Sequence, residues 1–137
     1  MIKEVGKDIY RILRKNQALY SSTTGSNNSA FGMESMYSNE TGAWNVAFGY
    51  GSLYSSVDGD GNTAVGYEAL YSNTGNYNSA FGYRALYSNT TGIRNVAIGY
   101  EALYSNNDAY GNTAIGYQAL RSNDSSGGGG YSNTAVG

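Results

Sequence analysis

Apolar residues recur along this chain in a fixed phrase rather than in a helical or alternating pattern. The clearest copy runs Asn62-Thr63-Ala64-Val65-Gly66-Tyr67-Glu68-Ala69-Leu70-Tyr71-Ser72-Asn73, and further openings start at Asn28, Asn45, Asn78, Asn95, Asn112 and Asn133. The steps between openings are 17, 17, 16, 17, 17 and 21 residues. That period is too short for a helix pair or a propeller blade. It fits one turn of a solenoid in which each coil stacks on the one before. The pattern predicts an all-β parallel solenoid, a β-roll or β-helix of about seven 17-residue coils, over residues 16–137.

Each half of the phrase predicts its own local structure. In the first half, Phe31, Phe48, Val65, Phe81, Ile98, Ile115 and Val136 each sit between an Ala and a Gly. Side chains of a strand alternate between faces, so the large residues and the alanines must point opposite ways. The expectation is that the large residues fill the coil core. Ala30, Ala47, Ala64, Ala80, Ala97, Ala114 and Ala135 then form a flat face for chain–chain packing. In the second half, Tyr67, Leu70 and Tyr71 have helical spacing and Glu68-Ala69-Leu70 favours helix. A short helical or 3₁₀ turn is preferred there over a second strand. Thr24-Gly25, Thr41-Gly42, Thr74-Gly75 and Thr91-Gly92 close the repeats with turn chemistry, and Gly127–Gly130 lengthens one loop.

Asn28, Asn45, Asn62, Asn78, Asn95, Asn112 and Asn133 open the coils. At one coil per ~4.8 Å their amides are placed to hydrogen-bond along the stack as a ladder; a solvent-facing turn role is the alternative. Tyrosines recur in two series: Tyr50, Tyr67, Tyr83, Tyr100 and Tyr117, and Tyr20, Tyr37, Tyr54, Tyr71, Tyr87 and Tyr104. Stacked packing is the expectation for both. Trp44, Tyr77, Tyr110 and Tyr131 fall at turns and are the candidate glycan contacts.

Residues 1–15 break the pattern. Ile2, Val5, Ile9 and Ile12 make one helical seam with Leu13 beside it, so a short N-terminal amphipathic helix or attachment segment is expected. Residues 1–16 carry a net charge of +3, five cations against two acids, while the repeats are acidic at −5, three cations against eight acids. A weakly acidic stack is a poor match for phosphate, so no nucleic-acid partner is expected. No apolar run is long enough to span a bilayer, so no membrane insertion is expected. Residues 2–15 are too often charged for a secretory signal.

The chain has no Cys and no His, which removes disulfides, Cys/His metal sites and imidazole chemistry. No nucleophilic Ser has a His base, and Glu34, Glu68 and Glu101 lie on separate coils. No catalytic residue, metal or cofactor is assigned, and no enzyme is expected. Asp58-Gly59-Asp60-Gly61-Asn62 offers oxygens at alternate positions, but the twelfth place of a calcium loop is Ala69, so a turn is the reading. Asn27, Asn39, Asn89 and Asn123 match the glycosylation sequon, as chance allows in so Asn- and Ser-rich a chain.

The phrase N-T-A-[VI]-G-Y-x-A-L-Y-S-N-T-T-G resembles repeats in bacteriophage tail-fibre shafts, and is similar to the head repeats of trimeric autotransporter adhesins. The resemblance covers residues 16–137. It implies a homotrimer of parallel solenoids in a fibre or shaft, in a virion tail fibre serving host attachment. The alternative is a carbohydrate- or host-binding adhesin at the cell surface. The repeat is longer than the adhesin head unit and carries the added Tyr-x-Ala-Leu-Tyr segment. A third reading is a head-to-tail extracellular filament, since residues 17–25 and 133–137 are complementary halves of one repeat.

Overall fold

The computed structural model describes residues 16–123 and 131–137. Seven three-residue strands form one parallel sheet in sequence order: β1 (Ser29–Phe31), β2 (Val46–Phe48), β3 (Thr63–Val65), β4 (Ser79–Phe81), β5 (Val96–Ile98), β6 (Thr113–Ile115) and β7 (Thr134–Val136). Each strand pairs only with the preceding and the following coil, so the fold is a parallel β-solenoid of six strand-to-strand turns. At ~4.8 Å per step the stack of strands is about 29 Å long. The expected helix over residues 1–15 lies outside the described residues.

Register holds through every change of repeat length. Ala30 pairs with Ala47, and the series continues unbroken to Ala114 with Ala135. The 16-residue step loses its residue between Asn73 and Gly75, and the 21-residue step still pairs Ile115 with Val136. Length changes therefore fall in loops, where closure entropy depends only weakly on length.

The two faces of the strand are the reverse of the sequence-based expectation. Ala64, Ala80, Ala97 and Ala114 are fully buried, with Ala47 almost so and Ala30 and Ala135 half-buried at the two ends. The alanines line the interior of each coil. Phe31, Phe48, Phe81, Ile98, Ile115 and Val136 point outward, 39–76% exposed, and Val65 is half-buried on the same side. The reason is the thinness of the coil. Opposite the alanines stand Met36, Leu53, Leu70, Leu86 and Leu103, all at zero exposure. With that column and two columns of amides inside, only a methyl group fits on the strand side at native packing density.

Tyr-x-Ala-Leu-Tyr is neither helix nor strand. Its x and Leu positions take left-handed φ in every coil, as at Glu68 (52°) and Leu70 (52°) or Arg84 (51°) and Leu86 (51°). Backbone amides here bond to the neighbouring coils instead of within the segment: Glu68 donates back to Tyr50 O at 2.8 Å and Leu70 forward to Ala85 O at 3.0 Å. Inter-coil bonding thus offsets a left-handed conformation that costs roughly 1–2 kcal/mol per non-Gly residue.

Candidate functional site

The opening asparagines run through the interior as a ladder. In each, Oδ1 accepts the backbone N–H of the next coil's Asn, from Asn28–Asn45 (2.9 Å) through Asn112–Asn133 (2.9 Å). The Nδ2 group donates to a turn carbonyl of the next coil: Asn45 to Gly59 O (2.7 Å), Asn62 to Gly75 O (2.9 Å), Asn78 to Gly92 O (2.8 Å). The asparagines thus bond mainly to backbone, with amide–amide contacts added at Asn95–Asn78 and Asn112–Asn95 (both 3.2 Å).

A second amide column, not expected from the repeat phrase, runs beside the first. Asn73, Asn89, Asn106 and Asn123 bond directly side chain to side chain, at 2.7, 2.9 and 2.9 Å. The signal was present as the Asn that ends each Tyr-Ser-Asn. Asn39 and Ser56 occupy the same column, and there it fails: Asn39 Oδ1 and Ser56 Oγ are buried without a hydrogen-bond partner. The burial of Asn39 and Asn89 also closes two of the four glycosylation sequons to modification.

Three columns of side chains face outward. The first is the Phe/Val/Ile column, in which Phe31 and Phe48 stack at 4.9 Å. At its first-coil end, Leu19, Asn28, Ser29, Ala30, Phe31, Val46, Ala47 and Phe48 surround an apolar hollow of about 420 Å³. The second and third are the tyrosine ladders. Tyr20 to Tyr104 stack at 4.9–5.2 Å between centroids, and Tyr50 to Tyr117 at 5.0–5.3 Å. Within a ladder each ring face is covered by the next ring, so interior rungs present edges and hydroxyls, not faces.

Between the ladders lie Glu34, Glu68 and Glu101 in one column. Arg84 Nε meets Glu68 at 2.7 Å and Arg121 Nε meets Glu101 at 2.7 Å, where Gln118 also donates at 3.0 Å. The Arg121 hydrogen bond, then that of Gln118, holds the Glu101 carboxyl below its usual range. Tyr50 is pushed up by its hydrogen bond to Glu34, and Tyr67, Tyr71, Tyr87 and Tyr100 chiefly by burial.

Of the candidate glycan contacts, Trp44 and Tyr77 are the most exposed, at 63% and 60%, and stand outside the ladders. Tyr110 and Tyr131 stack on each other at 4.4 Å. The Asp58–Asn62 oxygens do not converge: Asn62 is inside the ladder, Asp60 Oδ1 accepts from Ala43 N at 2.7 Å, and Asp58 faces solvent. Among the described residues, no group of three or more acidic side chains is arranged to hold a metal, and no helix is long and apolar enough to cross a membrane.

Comparison with family models, curated proteins and solved structures finds no match.

Proposed function

We propose that this chain is a structural segment of a fibre or shaft that works as a homotrimer, in a virion tail fibre serving attachment to a host surface. One observation carries the reading. A parallel sheet is normally covered on both faces, yet here Phe31, Phe48, Val65, Phe81, Ile98, Ile115 and Val136 form an apolar column along the stack that no other described residue covers. Val46 and Val96 widen it on the same strand face. A continuous exposed apolar strip of this kind marks an interaction surface, and a repeating column is best matched by another copy with the same repeat. This moves the chain–chain contact from the buried alanines to the large residues beside them.

The decisive pair of substitutions is Ile98→Glu and Ala97→Glu. Sedimentation equilibrium of the unmodified protein should give about three times the 14.5 kDa chain mass. Ile98→Glu should fall to monomer while keeping its circular dichroism spectrum, because residue 98 already faces outward. Ala97→Glu should lose the fold. A monomer at every concentration for the unmodified chain would reject the reading.

Trp44 supports the second reading, a carbohydrate-binding adhesin. Its indole is exposed and unstacked, unlike the ladder tyrosines whose faces are occupied. Retention on a glycan array that Trp44→Ala abolishes is the outcome this reading expects.

A further inference from the structure

The second amide column has one place that the chain's own side chains do not complete. In a regular rung the amide nitrogen donates twice. Asn89 Nδ2 gives one hydrogen bond to Asn73 Oδ1 of the preceding coil, at 2.7 Å, and one to Gly92 O of its own turn, at 2.9 Å. The amide oxygen then accepts from the following rung, as Asn89 Oδ1 does from Asn106 Nδ2 at 2.9 Å. Ser56 takes this place between Asn39 and Asn73.

Four polar groups are left short around it. Asn39 Oδ1 and Ser56 Oγ have no partner in the chain, and both residues are buried. Gly59 O accepts from Asn45 Nδ2 at 2.7 Å, whereas its equivalent Gly92 O accepts from both Asn78 and Asn89. Asn73 Nδ2 donates to Gly75 O at 2.8 Å, and its second N–H is the one that the preceding amide oxygen takes in a regular rung. There is room as well as a deficit. A hydroxyl in place of a carboxamide removes two heavy atoms from an interior position. The neighbouring coils do not close over the gap, because their backbones are tied at regular spacing. Ser38 N donates to Tyr54 O and Ser55 N to Tyr71 O, both at 2.9 Å. We propose that Ser56 marks a binding site for one buried water molecule, which completes the rung. The water donates to Asn39 Oδ1 and Gly59 O and accepts from Asn73 Nδ2 and the Ser56 hydroxyl.

The donor set selects water over other small occupants. Two acceptors and two donors surround the gap, which matches the hydrogen-bonding capacity of water and the two to four polar partners that a buried water needs. A metal ion or ammonium would confront the Asn73 N–H, and neither amide column holds a carboxylate to balance its charge. A Tyr-Ser-Ser run also ends at Ser22, but Ser22 is exposed in the first coil, so only the Ser56 copy encloses its site. The site lies inside the coil, away from the strand face used for assembly, and stands whether or not the chain trimerises.

The test measures magnetisation transfer from water to the Asn73 side-chain amide of the intact chain by NMR. A cross-peak with opposite signs in laboratory-frame and rotating-frame spectra is expected, as for a molecule that tumbles with the protein. Ser56→Ala removes the hydroxyl proton that could relay the signal, yet keeps the gap and three of the four partners, so the cross-peak should persist. Ser56→Asn supplies the amide covalently. Its cross-peak should vanish, and its thermal midpoint should rise because no water has to be immobilised. Oxygen-17 relaxation dispersion, which senses the water and not the hydroxyl, should count one more long-lived water in the unmodified chain than in Ser56→Asn. That count decides the matter should Ser56→Ala not fold. No cross-peak in the unmodified chain, its loss in folded Ser56→Ala, or equal oxygen-17 counts in the unmodified chain and folded Ser56→Asn overturns the site.

Discussion

At Ser56 the interior departs from its own pattern. In regular coils an Asn at this place donates to the preceding coil's Oδ1 and to the turn carbonyl, as Asn89 does to Asn73 and Gly92. Serine reaches neither, and Asn39 Oδ1 is left without a donor. Ser56→Asn should restore the missing rung and stabilise the fold by about 1–2 kcal/mol, because each buried unpaired polar atom costs ~1–3 kcal/mol. Urea denaturation measures the change, and an unchanged or lower midpoint would contradict the ladder account. Gly66 is the opposite case. Its φ of 137° excludes other residues, and a Cβ there would run into the Gly82 carbonyl of the next coil. Gly66→Ala should therefore cost more than about 3 kcal/mol by the same assay.

Within one coil, the exchange of faces follows from signals in the strand itself. Ala is present in all seven strands, while its neighbour varies among Phe, Val and Ile. An interior packed to crystal-like density does not absorb such changes of volume. The first strand position, Ser29, Thr63, Ser79 or Thr113, shares a face with the large residue two places on. Those hydroxyls point to the exterior, so Phe31 or Ile115 must as well. The turn segment was less legible. Helical spacing in Tyr67, Leu70 and Tyr71 reflects a real column of Leu, but only the inter-coil hydrogen bonds select the left-handed φ at Glu68 and Leu70. The tyrosine ladders also set a pH limit. Folded-state pKa values raised above the ordinary 10 at Tyr50, Tyr67, Tyr71, Tyr87 and Tyr100 mean that the unfolded chain releases these protons first. Their contribution is complete below pH ~10 and is lost as pH rises through the shifted values. The share of the tyrosinate absorbance that comes from these five rings should therefore titrate above pH 10 in the folded protein, with the thermal midpoint falling over the same range. The lowered Glu101 acts in the opposite direction: its contribution is present above its unfolded value of 4.5 and disappears on acidification.

At the scale of the whole molecule, stability is a sum over coils and their interfaces. Each interior coil adds one fully buried Leu or Met, worth ~1.5–3 kcal/mol, together with one rung of each amide column except where Ser56 interrupts the second. Contacts are overwhelmingly with the coil before and after, so truncation should lower stability in steps. Removing residues 112–137 should leave a shorter stack that still gives the same circular dichroism per remaining coil; complete unfolding would show that the coils are not semi-independent. Assembly belongs to this scale too. One chain covers its alanines by closing its own coil, but among the described residues nothing covers the outer Phe/Val/Ile column.

The sequence by itself determined the period, the solenoid, the strand positions, the strand register and the alignment of equivalent Asn and Tyr residues, because all of these follow from a repeat stacking on itself. Only the tertiary structure decided which strand face is inside. That choice depends on how much volume the Leu column and the two amide columns leave within a coil, and volume is a property of the closed cross-section. It likewise decided that Arg84 meets Glu68 and Arg121 meets Glu101, since pairing between residues about one coil apart exists only once the coils are stacked.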